Sequence, residues 1–294
     1  MIVIIDDLKT REMEFRTIVP IEKASFQIEP LEEMLFVGSC FADSIGRRFI
    51  EDKFRAVVNP FGVMYNPASI LHTIERCDFA PQTAILTLGT NHVYRLKETG
   101  EIVDNCEKRP ARLFEEEQLS IEACANYLQQ AIDILRKRRS DVRIILTVSP
   151  IRYRKYGYHE SQLSKATLML AINALLHSSP IVSYPSPHTT NASLIYFPAY
   201  EIMMDELRDY RFYSDDMLHP SSQAVEYIWQ RFGEMFFSER TQQFLTEWRP
   251  IKAALGHRPF NPDSDEYRVF LADAQAKEAA LISKYSQQQS SDYQ

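Results

Sequence analysis

The sequence predicts an α/β protein in which a mainly parallel sheet is covered by helices on both faces and the chain closes with a helical appendage. Three observations predict it. Residues 34–37 (MLFV), 84–88 (AILTL) and 142–148 (VRIILTV) carry apolar side chains at successive positions, as strands buried on both faces do. Stretches with helical periodicity separate these runs, which is the alternation of a parallel sheet with crossover helices. Beyond Pro220 the pattern turns helical throughout.

Taken in order, the first strand runs from Met34 to Val37, stops at Gly38, and feeds an amphipathic helix from Phe41 to Phe54. The second strand, 84–88, stops at Gly89. Ser120 stands as an N-cap before Ala123, Tyr127, Ala131, Ile134 and Leu135 at helical spacing. The third strand ends at Ser149-Pro150, a helix follows from about Ser161 to His177, and a fourth strand spans 194–197. Helices are then expected from Gln223 to Phe237, Thr241 to Ala254 and Asp265 to Tyr285. Three strands thus end in small or polar residues, on the side where open α/β sheets hold their ligands.

Composition narrows the function classes. The 294 residues are 45% hydrophobic and 25% charged, as in an ordinary globular protein with a sizeable core. A net charge of −7 offers no basic surface for a phosphate backbone, so nucleic acid is not the expected partner. No run approaches the ~20 apolar residues of a membrane helix, and MIVIIDDLKTRE turns acidic too early for a signal peptide. The expectation is a cytoplasmic protein without a membrane partner. Cys40, Cys77, Cys106 and Cys124 form no CxxC pair, so neither a disulfide framework nor a zinc ribbon is expected. The end, 286–294 (SQQQSSDYQ), is polar enough to stay disordered.

Four segments could carry chemistry. In VGSCFADSIG (37–46) a hydroxyl and a thiol, Ser39 and Cys40, sit on a strand-to-helix turn, where the positive helix end favours a thiolate or an oxyanion. Gly38 permits the tight turn. The same residues also fit a plain small-residue turn with a buried cysteine. In DDMLHP (215–220), Asp216 and His219 stand three apart, so the carboxylate can orient the imidazole as a base; the alternative is that Asp216 caps a helix starting near Pro220. In LGTNHV (88–93), Gly89 allows close approach and Asn91 could donate to an oxyanion, or Gly-Thr-Asn is simply a turn. In NPFGVMYNP (59–67), Gly62 offers a backbone N–H or a bend between prolines.

The order of these pieces resembles the SGNH (GDSL-type) hydrolases. More narrowly, the chain resembles the GSCFA family, whose name stands here as Gly38-Ser39-Cys40-Phe41-Ala42. NPFG at 59–62, Asn105-Cys106, Ser149-Pro150, SQLSKATL at 161–168, the block 196–213, DMLHP at 216–220 and HRPF at 257–260 extend the resemblance from about Glu14 to about Tyr285. It implies a three-layer α/β/α fold over residues 13–285, with 1–12 as an extension and 286–294 as the tail. It also implies cofactor-free, metal-free acyl hydrolysis or transfer. By position Asp216 and His219 match acid and base, Gly62 the second-block glycine, and Gly89 and Asn91 the third-block residues. Laying GDS over Gly38-Ser39-Cys40 puts Cys40 where the nucleophile belongs; Ser39 is the alternative. The family carries a histidine after Asn-Cys, where this chain has Glu107.

The expected function is therefore an esterase-like acyl hydrolase acting on a small-molecule or glycan-linked acyl ester. An acyltransferase, or a binding module for a sugar or acylated ligand on the same fold, is the alternative. A redox or metal protein built on Cys40, Cys106 and His219 is the third class, and it lacks paired ligand spacing. The tyrosines and phenylalanines at 196, 197, 200, 210, 212 and 213 read as core and site-wall residues. The Gly62 N–H and the Asn91 side chain are expected to face the nucleophile. The sequence does not determine oligomeric state.

Overall fold

A computed structural model describes residues 15–104, 109–177 and 193–291. Strands β1 (Glu33–Gly38), β2 (Arg55–Val58), β3 (Thr83–Leu88), β7 (Arg143–Val148) and β8 (Leu194–Phe197) form a five-stranded sheet in the order β2-β1-β3-β7-β8, parallel throughout. Three further strands, β4 (His92–Leu96), β5 (Ile102–Val103) and β6 (Phe114–Gln118), make a small antiparallel sheet in the order β5-β4-β6.

The period-two alternation of the strands sorts their side chains into two cores. Leu35, Val37, Leu86, Leu88, Ile144 and Leu146 face one core with helices α2 (Pro67–Arg76), α3 (Ile121–Arg138) and α4 (Tyr158–His177). Met34, Phe36, Ile85 and Ile145 face the other with α1 (Cys40–Glu51), the single turn α5 (Ala199–Glu201) and α6 (Ser222–Phe236). The arrangement is the three-layer α/β/α sandwich that the doubly apolar strands predict. On the second face Phe49 is the hub, with ring centroids 4.6 Å from Trp229, 4.8 Å from Phe54 and 5.0 Å from Phe36.

The C-terminal helices lie against this body. α7 (Glu239–Leu255) and α8 (Asp265–Ser291) pack on each other through Phe244, Trp248, Leu281 and Tyr285, and Leu31 of the main body joins that cluster. Trp248 Nε1 donates to the Glu51 carbonyl, and Lys252 Nζ reaches Asp52 at the end of α1. α8 continues to Ser291, into the segment 286–294 expected to be disordered; the extension 1–12 lies outside the described residues. Among the described residues no helix is long and apolar enough to cross a membrane.

Several elements differ from the sequence expectation. The helix expected to reach Phe54 ends at Glu51, and Lys53 takes a left-handed φ of 68°. Phe54 keeps the apolar spacing because it packs on Phe49 and Phe237 from outside the helix. β2 escapes notice because it is a four-residue edge strand. α2 begins within the proline-flanked segment read as a bend: Asn66 caps it by accepting from the Ser69 N–H, and Pro67 follows in the first turn, where its missing N–H costs nothing. β6 reads FEEEQ and carries no apolar alternation.

Removing the hub should cost more than an average core truncation. Phe49→Ala is expected to lose about 3–5 kcal/mol of stability, read as a lower urea midpoint at unchanged slope; a loss below about 1 kcal/mol would show that the aromatic cluster closes around the gap.

Candidate active site

β1 ends at Gly38 with φ +150°, pressed on β3: a Cβ there would lie 2.1 Å from the Thr87 carbonyl oxygen. Only glycine fits. The Ser39 N–H then donates to that same Thr87 carbonyl, and the Gly38 N–H to Asn59 Oδ1 at 2.9 Å. The chain leaves directly into α1. Ser39 is its N-cap, 1% exposed, accepting from the Phe41 N–H at 3.2 Å and donating to Ser149 Oγ at 2.9 Å. Both functions of the hydroxyl are thus engaged in the turn. Cys40, the first helical residue, is half-buried, and its Sγ lies 3.5 Å from the Tyr65 hydroxyl.

Cys40 opens into a cleft of about 330 Å³ at the carboxyl ends of β1, β3 and β7, whose walls include Ser39, Tyr65, Gly89, Ser149, Tyr153 and His219. The structure therefore brings Ser39, Cys40, Gly89 and His219 into one cleft, with Gly38 beneath it. Asp216 Oδ2 is 2.5 Å from His219 Nδ1, which sets the proton on that nitrogen and leaves Nε2 as the basic lone pair. Its Oδ1 accepts the backbone N–H groups of His219 (3.0 Å) and Leu218 (2.8 Å). These two N–H groups, then the imidazole, hold the Asp216 carboxyl well below the usual carboxylate range. The pair sits on a tight loop, not a helix: Met217 takes φ 59°, and the Ser214 N–H closes the loop on the His219 carbonyl. Ser221, not Asp216, caps α6.

The expected oxyanion donors are engaged elsewhere. The Gly62 N–H closes a turn on the Asn59 carbonyl, and Gly62 does not line the cleft. The Gly89 N–H donates to the Tyr65 carbonyl. Asn91 is buried, its Nδ2 donating to the Leu119 carbonyl at 2.8 Å, and it does not line the cleft either. The physical reason is common to all three: a backbone carbonyl of the same or a neighbouring loop needs a partner and takes the donor. The donors that do border the thiol are the Tyr65 hydroxyl and the Cys40 N–H, which as a first-turn amide has no intrahelical acceptor. Burial and the Cys40 sulfur hold the Tyr65 phenol above its ordinary range, so it stays a donor. Asn105, Cys106 and Glu107 lie outside the described residues. Among the described residues no group of histidine, cysteine and carboxylate side chains could hold a metal ion.

Four basic cleft residues, like Tyr65, had no role in the sequence reading. Lys165 of α4 is buried beneath the cleft, its Nζ donating to the carbonyls of Gly89 (2.7 Å) and Ser149 (2.9 Å) and so joining the ends of β3 and β7. Arg152, Arg154 and Lys155 follow β7 on the loop that forms the outer wall. Only the SP of 149–150 and the block 161–168 signalled them in sequence, and neither pattern assigns a role.

Burial without a carboxylate partner pushes the Lys165 ammonium down from 10.5 to about 7. Between those values the unfolded chain keeps a proton that the native chain has released, so raising the pH favours the native state. The contribution is complete above the unfolded value and is lost as the pH falls through about 7. The stability difference between wild type and Lys165→Met should therefore rise by about 2 kcal/mol between about pH 7 and about pH 9. Chemical denaturation at the two pH values measures it, and a flat difference would mean that the ammonium stays charged in the fold.

Comparison with solved structures finds similar chains at low identity. They include a protein from Streptococcus pneumonia named for platelet activating factor (15% identity, TM-score 0.43, covering 70% of this chain and 84% of that one). An acetyl esterase mutant with an acetate ion (12%, 0.41, 73% and 99%) and a carbohydrate esterase family 3 protein from Talaromyces cellulolyticus (11%, 0.39, 73% and 99%) are also similar. No curated protein matches the sequence. The model of the GSCFA family matches residues 33–84 and 79–232, spanning the strands and loops that build the cleft, and that of the GSCFA domain protein C-terminal domain matches 248–292, the α7–α8 pair. The chain belongs to the GSCFA family.

Proposed function

We propose that the chain is an acyl-group hydrolase in which Cys40 is the nucleophile, His219 the general base and acid, and Asp216 the residue that orients His219. The single observation that carries this reading is the division of labour in the GSC turn. The Ser39 hydroxyl is occupied as cap and as donor to Ser149, while the Cys40 thiol stands in the cleft that His219 also lines. The resemblance to SGNH hydrolases supports the same reaction class.

In this mechanism His219 Nε2 takes the thiol proton as Cys40 Sγ bonds to the ester carbonyl carbon, and the carbonyl π pair moves onto oxygen. The Cys40 N–H, at the positive end of α1, and the Tyr65 hydroxyl donate to that oxyanion. Collapse of the adduct breaks the bond to the alcohol, which leaves with the proton from His219, and a thioester remains. Water then adds to the thioester, giving its proton to His219; the second collapse releases the acid, and the sulfur regains its proton. An acceptor alcohol or amine in place of water gives acyl transfer by the same steps.

The commitment of the Gly62, Gly89 and Asn91 donors favours a second reading, a module that binds an acylated ligand without turning it over. One experiment separates the two. After brief incubation with p-nitrophenyl acetate, wild type should carry one acetyl group, located on Cys40 by peptide mass spectrometry. Cys40→Ala should lose the adduct and about 10³ or more of kcat/KM, and His219→Ala about 10²–10⁴. Tyr65→Phe should lower kcat by about 10² if its hydroxyl serves the oxyanion. An adduct that survives Cys40→Ala and disappears in Ser39→Ala makes the protein a serine esterase. Failure to acylate with any ester, alongside saturable binding of that ester, leaves the binding module.

A further inference from the structure

We infer that the substrate of this cleft is an ester or thioester bearing a carboxylate or phosphate near its acyl group, and that Arg152, Arg154 and Lys155 hold that anion. The inference rests on the acyl-transfer reading for where the substrate lies, and concerns its charge.

Asp and Glu outnumber Lys and Arg in this chain by 40 to 33, so an average stretch of surface carries carboxylates. The cleft does not. Among the described residues Arg152, Arg154, Lys155, Lys165 and His219 line it, and no carboxylate does. Asp216 holds the far side of His219, and Glu116, outside the lining, pairs with Lys155 at 3.7 Å while bonding His92 Nδ1. Arg154 is exposed at the mouth. Arg152 is fixed in place, its Nη1 donating to the Met217 carbonyl at 3.3 Å and its guanidinium lying 4.5 Å from the Tyr158 ring centroid and 5.3 Å from that of Tyr213. A guanidinium anchored through backbone and aromatic contacts keeps its remaining N–H donors for a planar anion. Lys165, beneath the cleft, meets two carbonyl oxygens and the Tyr200 ring and brings no carboxylate with it.

Such a one-signed cleft raises the local concentration of an anionic ester. The adjoining groove of about 510 Å³ meets the cleft at Ile151 and Arg152 but contains Asp205 and Asp209 beside Arg208, so its charge is balanced. The anion therefore belongs on the cleft side of Arg152.

Three matched esters test this: 4-acetoxybenzoate, 4-acetoxyphenyl phosphate and the neutral 4-acetoxybenzamide. Each kcat/KM is divided by the ester's own rate of hydroxide hydrolysis. At an ionic strength of about 0.02 M at least one anionic ester should exceed the amide by about tenfold or more, and the ratio should approach one at about 0.5 M salt. Whichever anion gives the higher ratio identifies carboxylate or phosphate as the group recognised. The triple variant Arg152→Gln, Arg154→Gln, Lys155→Gln should bring the ratio to about one. Lys137→Gln, a charge loss at the opposite end of the sheet, should leave the ratio unchanged. A wild-type ratio near one, or a ratio the triple variant does not lower, overturns the inference.

Titration of the same three esters into Cys40→Ala by saturation-transfer NMR reads the preference without catalysis. Tighter binding of an anion there, lost in the triple variant, upholds the inference even if no ester acylates the protein. Equal binding of all three, or binding of none, overturns it.

Discussion

The contact on which the site depends is between two backbones. β1 ends so close to β3 at Gly38 that no side chain fits, and the Ser39 N–H joins the Thr87 carbonyl across that gap. The turn into α1 is therefore made in a single residue. A one-residue turn leaves the first turn of the helix directly over the carboxyl end of the sheet, with Ser39 as cap and Cys40 next. The loop after β2 closes on the same point through Gly38 N–H to Asn59 Oδ1 and Met64 N–H to the Gly38 carbonyl. That loop delivers Tyr65 to the thiol. A bulkier residue at 38 would displace the Cys40 thiol, its neighbouring phenol and the cap together.

A second tie holds the cleft floor. Lys165 bridges the carbonyls that directly follow β3 and β7, so the two neighbouring strand ends are tied by one amine. Burying an ammonium without a carboxylate is costly, and the low position of its titration is the sign of that cost. A carboxylate would offset it, but would also place negative charge beneath a cleft proposed to generate an oxyanion. The two carbonyls stabilise the lysine without adding a net charge.

How far the sequence discloses this molecule follows from how local each feature is. β1, β3, β7 and β8 announce themselves because strands buried on both faces have few polar positions. Asp216 and His219 are legible because the pair is made within one loop, and the choice between Ser39 and Cys40 is posed by a single turn. What sequence spacing does not disclose is which partners a side chain meets across the sheet end. Asn91 looks like a free donor until Leu119, brought back by β6, takes its amide. Gly62 looks like an open N–H until the turn closes on Asn59. Lys165 sits in a helix whose pattern merely requires a buried position, and only α4 packing over β7 gives its ammonium two carbonyls. Arg152, Arg154 and Lys155 read as an ordinary basic loop because the cleft they face, with no carboxylate among its described lining residues, is a property of space, not of spacing.

The His219 loop and the charged wall are mechanically one piece. The Asp216–His219 loop is exposed and short, and its connection to the sheet runs through Arg152, whose backbone N–H donates to the Leu218 carbonyl and whose guanidinium donates to the Met217 carbonyl. An anion gripped by Arg152 therefore bears on the same loop that carries His219. In the proposed reaction, binding energy gained away from the reacting carbonyl would order His219, which is how a remote substrate group raises turnover as well as affinity. A neutral ester would meet the same thiol and the same imidazole without that constraint. The charge preference inferred for the cleft would on this argument fall on kcat as well as on KM, because the residue proposed to hold the substrate also positions the proton acceptor.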